Sequence, residues 1–585
     1  MNMINLKIDG APVSVPAGTT ILEAARQMNI DIPTLCFLKD INAIGACRIC
    51  VVENRVNGVG RLVAACVFPV AEGMDIYTHS PMVLKSRRQT LELILSNHDK
   101  RCLSCVRSGD CELQRLCNEY KVEKEDAYKG EQSAYVLDDS AVHMTRDNNK
   151  CILCRRCVAV CDKWQGVSVI GANERGFATH IGSAFDDGLG LTSCVSCGQC
   201  IVACPTGALA EKDDTDKLWD AIADPTKHVV VQVAPSIRVT LGEAFDMPIG
   251  TNVEGKMVTA LKRLGFDRVF DTDFTADLTI MEEANELIER VKTGGTLPMI
   301  TSCSPGWIKY CEHNFPDLLP NLSSCKSPQQ MFGALVKTYY AEKNNIDPKD
   351  IVSVSVMPCT AKKFEVGRED QSAAGVPDVD ISITTRELAR MIKRAGLVFQ
   401  KLEDSEFDSP LGIGSGAGLI FGATGGVMEA ALRTAVETLT GEELGKLEFH
   451  DVRGTAGLKE AAYKVGDLEV KVAVCSGLAN AKELLKKIRA GEADYTFIEI
   501  MACPGGCVNG GGQPFQPASV RNYEDLRAMR AKALYDTDAD MKLRKSHENP
   551  MIKQIYDEYL ENPGSHKAHK ILHTTYVARN RFGDQ

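Results

Sequence analysis

The sequence contains no uninterrupted apolar run of the roughly 18 residues that a membrane helix needs, so no membrane span is expected. It has no excess of positive charge. Lys and Arg number 67 against 78 Asp and Glu, a net charge of −11, whereas a general nucleic-acid binder is usually basic. The N-terminus, MNMINLKIDG, lacks the basic n-region and apolar h-region of a secretory signal, so a cytoplasmic protein is expected. Hydrophobic content is not low: 44% hydrophobic and 25% charged residues are ordinary for a folded protein and argue against wholesale disorder. At roughly 150 residues per domain, 585 residues imply about four domains.

Cysteine is abundant instead. Of 23 cysteines, 16 fall within residues 1–204. A disulfide scaffold suits a small secreted chain, and this chain is large and unsignalled. Reduced thiolates holding soft metals are the better reading.

The first segment, 1–78, begins with two alternating stretches around Asp9-Gly10, a hairpin signal, and then a helical stretch with Ile21, Leu22, Ala25 and Met28 on one side. Cys36, Cys47, Cys50 and Cys66 follow as C-x10-C-x2-C-x15-C. Four thiolates suit a [2Fe–2S] cluster, although C-x2-C is also a zinc spacing. The whole segment resembles plant-type and complex-I-type ferredoxin domains, which implies the [2Fe–2S] cluster in a β-grasp fold.

Segment 79–138 reads as helix, loop, helix, with His98, Cys102, Cys105 and Cys111 spaced H-x3-C-x2-C-x5-C. Imidazole can replace a thiolate on iron, so His98 is read as the fourth ligand, with Cys117 as competitor. The arrangement resembles the histidine-and-three-cysteine [4Fe–4S] segment of [FeFe]-hydrogenases and of complex I's large iron–sulfur subunit. Segment 139–212 carries two C-x2-C-x2-C-x3-C runs, an internal repeat of the bacterial ferredoxin type. In such pairs the fourth cysteine of each run serves the other cluster. Cys151, Cys154, Cys157 and Cys204 are therefore expected to hold one [4Fe–4S] cluster, and Cys194, Cys197, Cys200 and Cys161 the other.

Beyond about residue 213 strand-like runs (HVVVQVAP, IVSVSVMP, VKVAVCSGLA) alternate with helical stretches, as in α/β proteins. The expected architecture is multidomain α/β, with a large domain over 213–520 and a C-terminal helical segment over 521–585. TSCSPGW (301–307), MPCTAKKFE (357–365) and EIMACPGGCVNGGGQP (499–514) resemble the three signature motifs of [FeFe]-hydrogenases. The N-terminal segments occur in that family in the same order, so the resemblance covers nearly the whole chain. Within the family the likeness is to catalytic subunits of multisubunit NADP-reducing hydrogenases, including electron-bifurcating ones.

The resemblance implies reversible oxidation of H2 to protons and electrons at an H-cluster, a [4Fe–4S] cubane joined to a diiron subcluster with CO, cyanide and azadithiolate. It implies Cys359, Cys503 and Cys507 as cubane ligands, with Cys507 bridging to the diiron unit. Lys362 is implied as a donor to cyanide. Met357, Met501, Ala234, Pro235 and Ser236 are implied around the diiron unit. Gly510, Gly511 and Gly512 suggest room for a bulky inorganic centre. Glu283, Glu286 and Arg290 share a helical face and are implied, with Ser323, as a proton path starting at Cys303.

One position departs from the family. Its first signature usually reads TSCCP, whose first cysteine relays protons and whose second ligates the cubane. Here Thr301-Ser302-Cys303-Ser304-Pro305 aligns Cys303 with the relay and Ser304 with the ligand. A local shift would instead make Cys303 the fourth ligand, since iron in such clusters prefers thiolate to a hydroxyl. We read Cys303 as the relay.

GIGSGAG (412–418) has no surrounding strand–turn–helix unit and no following acid, so it is not read as a dinucleotide site. If NADP is used, another subunit is expected to bind it. The implied partners are a flavin- and NADP-binding subunit, ferredoxin-like subunits, ferredoxin and maturation proteins. The competing functions are a non-catalytic, hydrogenase-like iron–sulfur assembly factor and an H2 sensor.

Overall fold

The computed structural model describes residues 2–465 and 468–580; residues 581–585 of the C-terminal segment lie outside the described residues. Strands β1 (Met3–Ile8) and β2 (Ala11–Pro16) pair antiparallel, with Ile8 opposite Ala11. Asp9 (φ 50°) and Gly10 (φ 83°) form the two-residue connection, whose positive φ values match the twist of the hairpin. Thr20 caps the Ile21–Gln27 helix in a capping box with Glu23. That helix buries Ile21, Leu22, Ala24 and Ala25 on a sheet of order β2-β1-β5-β3-β4, completed by β3 (Val51–Val56), β4 (Val59–Ala64) and β5 (Asp75–Tyr77). Cys50 directly precedes β3 and Cys66 follows β4, so the hairpin holds both at one end of the sheet.

Helices Pro81–Leu95 and Glu112–Glu119 form the next segment, tied back to the first sheet by Arg87, which donates to Val51 O at 2.8 Å. The repeat that follows is also structural. Leu153 and Arg155 in the first run, and Ser196 and Gly198 in the second, all have positive φ, at matching positions around the second cysteine. Short helices Arg156–Lys163 and Gln199–Ala203 then leave each loop. Strand β6 (Met144–Arg146) pairs with β9 (Leu209–Glu211), and β7 (Gly171–Asn173) with β8 (His180–Gly182) between the two runs.

The large domain has two sheets. One is parallel, in the order β11-β10-β13-β14 (Arg268–Asp271, His228–Val233, Ile351–Met357, Ile381–Thr384). The other runs β12-β17-β16-β15 (Met299–Ile300, Phe497–Met501, Leu468–Ser476, Leu458–Val465), with only β15 antiparallel. Helix Thr272–Thr293 contributes Phe274 and Leu278 to one core and Ala276, Ile280 and Leu287 to another. Being covered on both sides, it is buried where a surface helix would show charge. Helices Leu526–Asp540, Pro550–Ile555 and His566–Leu572 close the chain over this domain. Among the described residues, no helix is long and apolar enough to cross a membrane.

Candidate active site and cluster pockets

In open parallel sheets, functional loops gather at the carboxyl ends of the strands. Ala234 and Pro235 follow β10, Cys303 and Ser304 follow β12, Cys359 and Lys362 follow β13, and Cys503 and Cys507 follow β17. All eight line one cavity of about 80 Å³, together with Met357 and Met501. Ser236 stands behind this wall, fully buried, where its hydroxyl accepts from Gln513 Nε2 at 3.2 Å.

Burial raises the Cys359 and Cys503 thiols and pushes the Cys507 thiol up to about 12. Three buried thiols that resist ionisation on their own suit an iron cluster, whose positive charge favours the thiolate. Ser304 adds a hydroxyl that accepts the Ala502 N–H at 3.2 Å. Burial also holds the Cys303 thiol well above its ordinary value, with Glu283 adding to the effect. Lys362 Nζ donates to Cys303 O (3.2 Å) and Ser327 Oγ (2.8 Å) and pairs with Glu365 (2.8 Å). Its ammonium is thus fixed at the cavity wall.

The glycine run also meets a second neighbour besides the cavity. Gly510 lines the cavity, but a Cβ on Gly511 would fall 2.2 Å from the Cys197 carbonyl oxygen. Gly511 lets the catalytic loop lie against the ferredoxin loop, while Gly510 and Gly512 pack on Pro358 and Thr384. Around GIGSGAG the structure agrees with the sequence: no strand leads into it, Ser415 caps a four-residue helix, and Gly418 packs on Asp273.

Behind Cys303 lie the carboxyls of the central helix. Glu283 is 1% exposed, and neither of its oxygens has a hydrogen-bond partner. Burial pushes its carboxyl up to about 8; Ser323 and the Ser302 amide temper the shift without reaching hydrogen-bond geometry. Ser323 Oγ donates to Glu286 Oε2 at 3.2 Å, and Arg290 pairs with the other Glu286 oxygen. Glu283 is thus not part of a solvated charged face.

Residues far along the chain complete this line. Ser324 donates to Glu286 and contacts His573 Nδ1 at 2.8 Å; His573 Nε2 reaches Glu282 at 3.2 Å. Tyr576 donates its hydroxyl to Ser323 O at 2.6 Å. No local sequence pattern marks His573 or Tyr576, because the groups they meet belong to distant segments.

In the N-terminal sheet, Cys50 and Cys66 sulfurs lie 3.3 Å apart and the Cys36 N–H meets Cys47 Sγ at 3.4 Å, so the four thiols face one another. All the cysteines are free. His98 keeps a buried Nδ1 without a partner, and burial lowers its imidazole to about 4, the neutral form a metal needs. Cys117 is close enough to Cys111 and Cys102 for their charges to raise its thiol further, so it stands beside two of the three cysteines and competes with His98 for the fourth position. Cys161, Cys194, Cys197 and Cys200 line one pocket, as the crossed pairing of the two runs requires, and Cys197 also lines the catalytic cavity. Cys151, Cys154, Cys157 and Cys204 are mutually close, and burial raises the thiol of Cys157 among them.

Family models match the chain in five places: the C-terminal domain of the iron-only hydrogenase large subunit (227–511), the iron hydrogenase small subunit (524–579), a 2Fe-2S cluster-binding domain (1–81), the NADH-ubiquinone oxidoreductase-G iron–sulfur region (87–126) and a 4Fe-4S dicluster domain (150–208). The chain is 49% identical to NADP-reducing hydrogenase subunit HndD of Solidesulfovibrio fructosivorans, covering 100% of both chains. It is 44% identical to iron hydrogenase 1 of Clostridium pasteurianum, covering 98% of this chain and 100% of that one. Among solved structures it resembles an apo [FeFe]-hydrogenase HydA1 variant from Chlamydomonas reinhardtii, with 45% identity, a TM-score of 0.56, and 63% of this chain and 99% of that one covered. With 2Fe-2S and 4Fe-4S domains leading to a hydrogenase catalytic domain, the chain belongs to the iron-only, or [FeFe], hydrogenases.

Proposed function

We propose that this hydrogenase is the H2-converting subunit of a cytoplasmic, NADP-linked complex. The observation that carries the reading is full-length similarity to a subunit named for NADP reduction, in a chain whose one glycine-rich candidate for a nucleotide loop is packed shut against Asp273. NADP would bind a flavin-containing partner, with ferredoxin-like subunits or ferredoxin exchanging electrons. The assembly-factor and sensor readings are weaker, because the likeness extends over the [2Fe–2S] domain and the catalytic motifs together.

Cys359, Cys503 and Cys507 would hold the cubane with Ser304, and Lys362, Met357, Met501, Ala234, Pro235 and Ser236 would surround the diiron unit. When bound, the H-cluster supplies the chemistry that interconverts H2 with protons and electrons. The chain's own residues do the rest. Lys362 presents its fixed ammonium to the cavity, Cys303 holds a proton on sulfur, and Glu283 accepts or returns it. Ser323, beside that carboxyl, donates to Glu286 and would pass the proton between them, and Arg290 holds Glu286 at the outer end. Glu283, with its carboxyl pushed up to about 8, can exist in both forms near neutrality, as a proton carrier must. The domain boundaries are proposed as 1–78, 79–138, 139–212, 213–520 and 521–585.

The matured single chain should evolve H2 from reduced viologen and fail to reduce NADP; adding its partner subunits should restore NADP reduction. Direct NADP reduction by the single chain would refute this reading.

A further inference from the structure

Lys309 lies on helix Pro305–Asn314, which starts at the catalytic cavity. Its ammonium sits 3.4 Å from Ser196 Oγ, within the loop that carries Cys194 and Cys197, and 4.3 Å from the centre of the Phe364 ring. No carboxylate pairs with it among the described residues. The neighbouring acid on its helix, Glu312, is taken up by Arg368 and Arg579. A half-buried cation without a counter-charge is costly, so a negative group at the Cys194–Cys197 loop would relieve it.

The pocket formed by Cys161, Cys194, Cys197 and Cys200 shows the same pattern. Gln165 lines it, is 1% exposed, and has no partner at either Nε2 or Oε1. His143 also lines it, with Nε2 3.9 Å from Cys194 Sγ and Nδ1 unpartnered. Buried donors left unmade are expensive, and sulfide and thiolate sulfur are acceptors. This pocket shares Cys197 with the catalytic cavity, so a cluster held there would stand next to the active site.

We propose that Lys309, supported by Gln165 and His143, raises the reduction potential of the [4Fe–4S] cluster held by Cys161, Cys194, Cys197 and Cys200, so that an electron rests beside the active site. The inference rests on the ligand set proposed for that cluster. Reduction adds one negative charge to the cluster; a nearby cation and N–H donors stabilise that form more than the oxidised one. Lys309 is a positioning residue for charge and takes no part in bond making.

The test is an EPR-monitored redox titration of the full-length protein with its clusters, with iron measured per chain. Lys309→Met should lower the midpoint of one [4Fe–4S] signal enough to cut its reduced-to-oxidised ratio about tenfold at the wild-type midpoint, equivalent to about 59 mV for one electron. Lys309→Arg should restore the midpoint, and Gln165→Leu should lower it by less. Cys200→Ser should alter the same signal. An unchanged midpoint in Lys309→Met, whatever Gln165→Leu does, or a shift in a signal that Cys200→Ser leaves alone, would overturn the proposal. Loss of the cluster from both Lys309 variants would overturn it too, marking a packing role. If Cys200→Ser keeps every wild-type [4Fe–4S] signal, the ligand set itself is wrong.

Discussion

Ser323 donates its hydroxyl hydrogen to Glu286 at 3.2 Å while standing beside Glu283, whose carboxyl oxygens have no partner. One hydroxyl therefore stands between two carboxyls in opposite situations, bonded to Glu286 and only adjacent to Glu283. Glu286 is held by Arg290, Ser323 and Ser324, whereas Glu283 is left to the low dielectric of the core. A hydroxyl can donate and accept at once, which is what a bridge between such groups requires.

Glu283→Gln keeps the shape and removes the exchangeable carboxyl proton. Turnover should fall by at least about a hundredfold while iron content and the infrared bands of the diiron unit stay unchanged. In the wild type, H2 evolution should decline as pH rises past about 8, where Glu283 loses its proton. The same shift affects stability. Unfolded Glu283 ionises from 4.5, whereas in the fold it stays protonated to about 8, so the native state binds more protons between these values. Stability falls as pH rises through that window. Glu283→Gln should therefore melt above the wild type near about pH 9 and level with it near about pH 4. Equal melting at both would show that folding does not raise the carboxyl's pKa.

Cys303→Ala should leave the cubane intact and nearly abolish turnover if Ser304 is the fourth ligand as proposed; both residues line the cavity with Cys359, Cys503 and Cys507, so the variants must separate their roles. Ser304→Ala should weaken the cubane signal, and Ser304→Cys should strengthen it. Loss of that signal in Cys303→Ala, with Ser304→Ala unchanged, would make Cys303 the fourth ligand.

His98→Ala should remove one [4Fe–4S] cluster and slow electron exit while sparing the diiron bands. Its unpartnered, neutral Nδ1 is available for a metal. Cys117 is the competitor, given its proximity to Cys111 and Cys102. EPR spectra and iron content decide: a cluster lost in Cys117→Ala but kept in His98→Ala assigns the thiol.

Local chemistry is legible in the sequence wherever ligands sit close together in the chain. The two C-x2-C-x2-C-x3-C runs, the Asp9-Gly10 hairpin and the strand at HVVVQV all depend on spacing or periodicity, and spacing survives in one dimension. The signature motifs likewise single out Cys359, Cys503 and Cys507 without any fold. Tertiary structure alone decides which charges are buried. Sequence places Glu283 on a helical face with Glu286 and Arg290, but only when two cores close over the Thr272–Thr293 helix and strip its water does its carboxyl shift. The partners of Ser324 and Ser323 arrive from His573 and Tyr576 by long-range packing, which leaves no mark on local sequence. Gly511 shows the same division: the composition predicts close approach, but only the fold says that the group approached is the Cys197 loop. Desolvation and long-range contact are properties of assembled surfaces, so they appear only once the chain has folded.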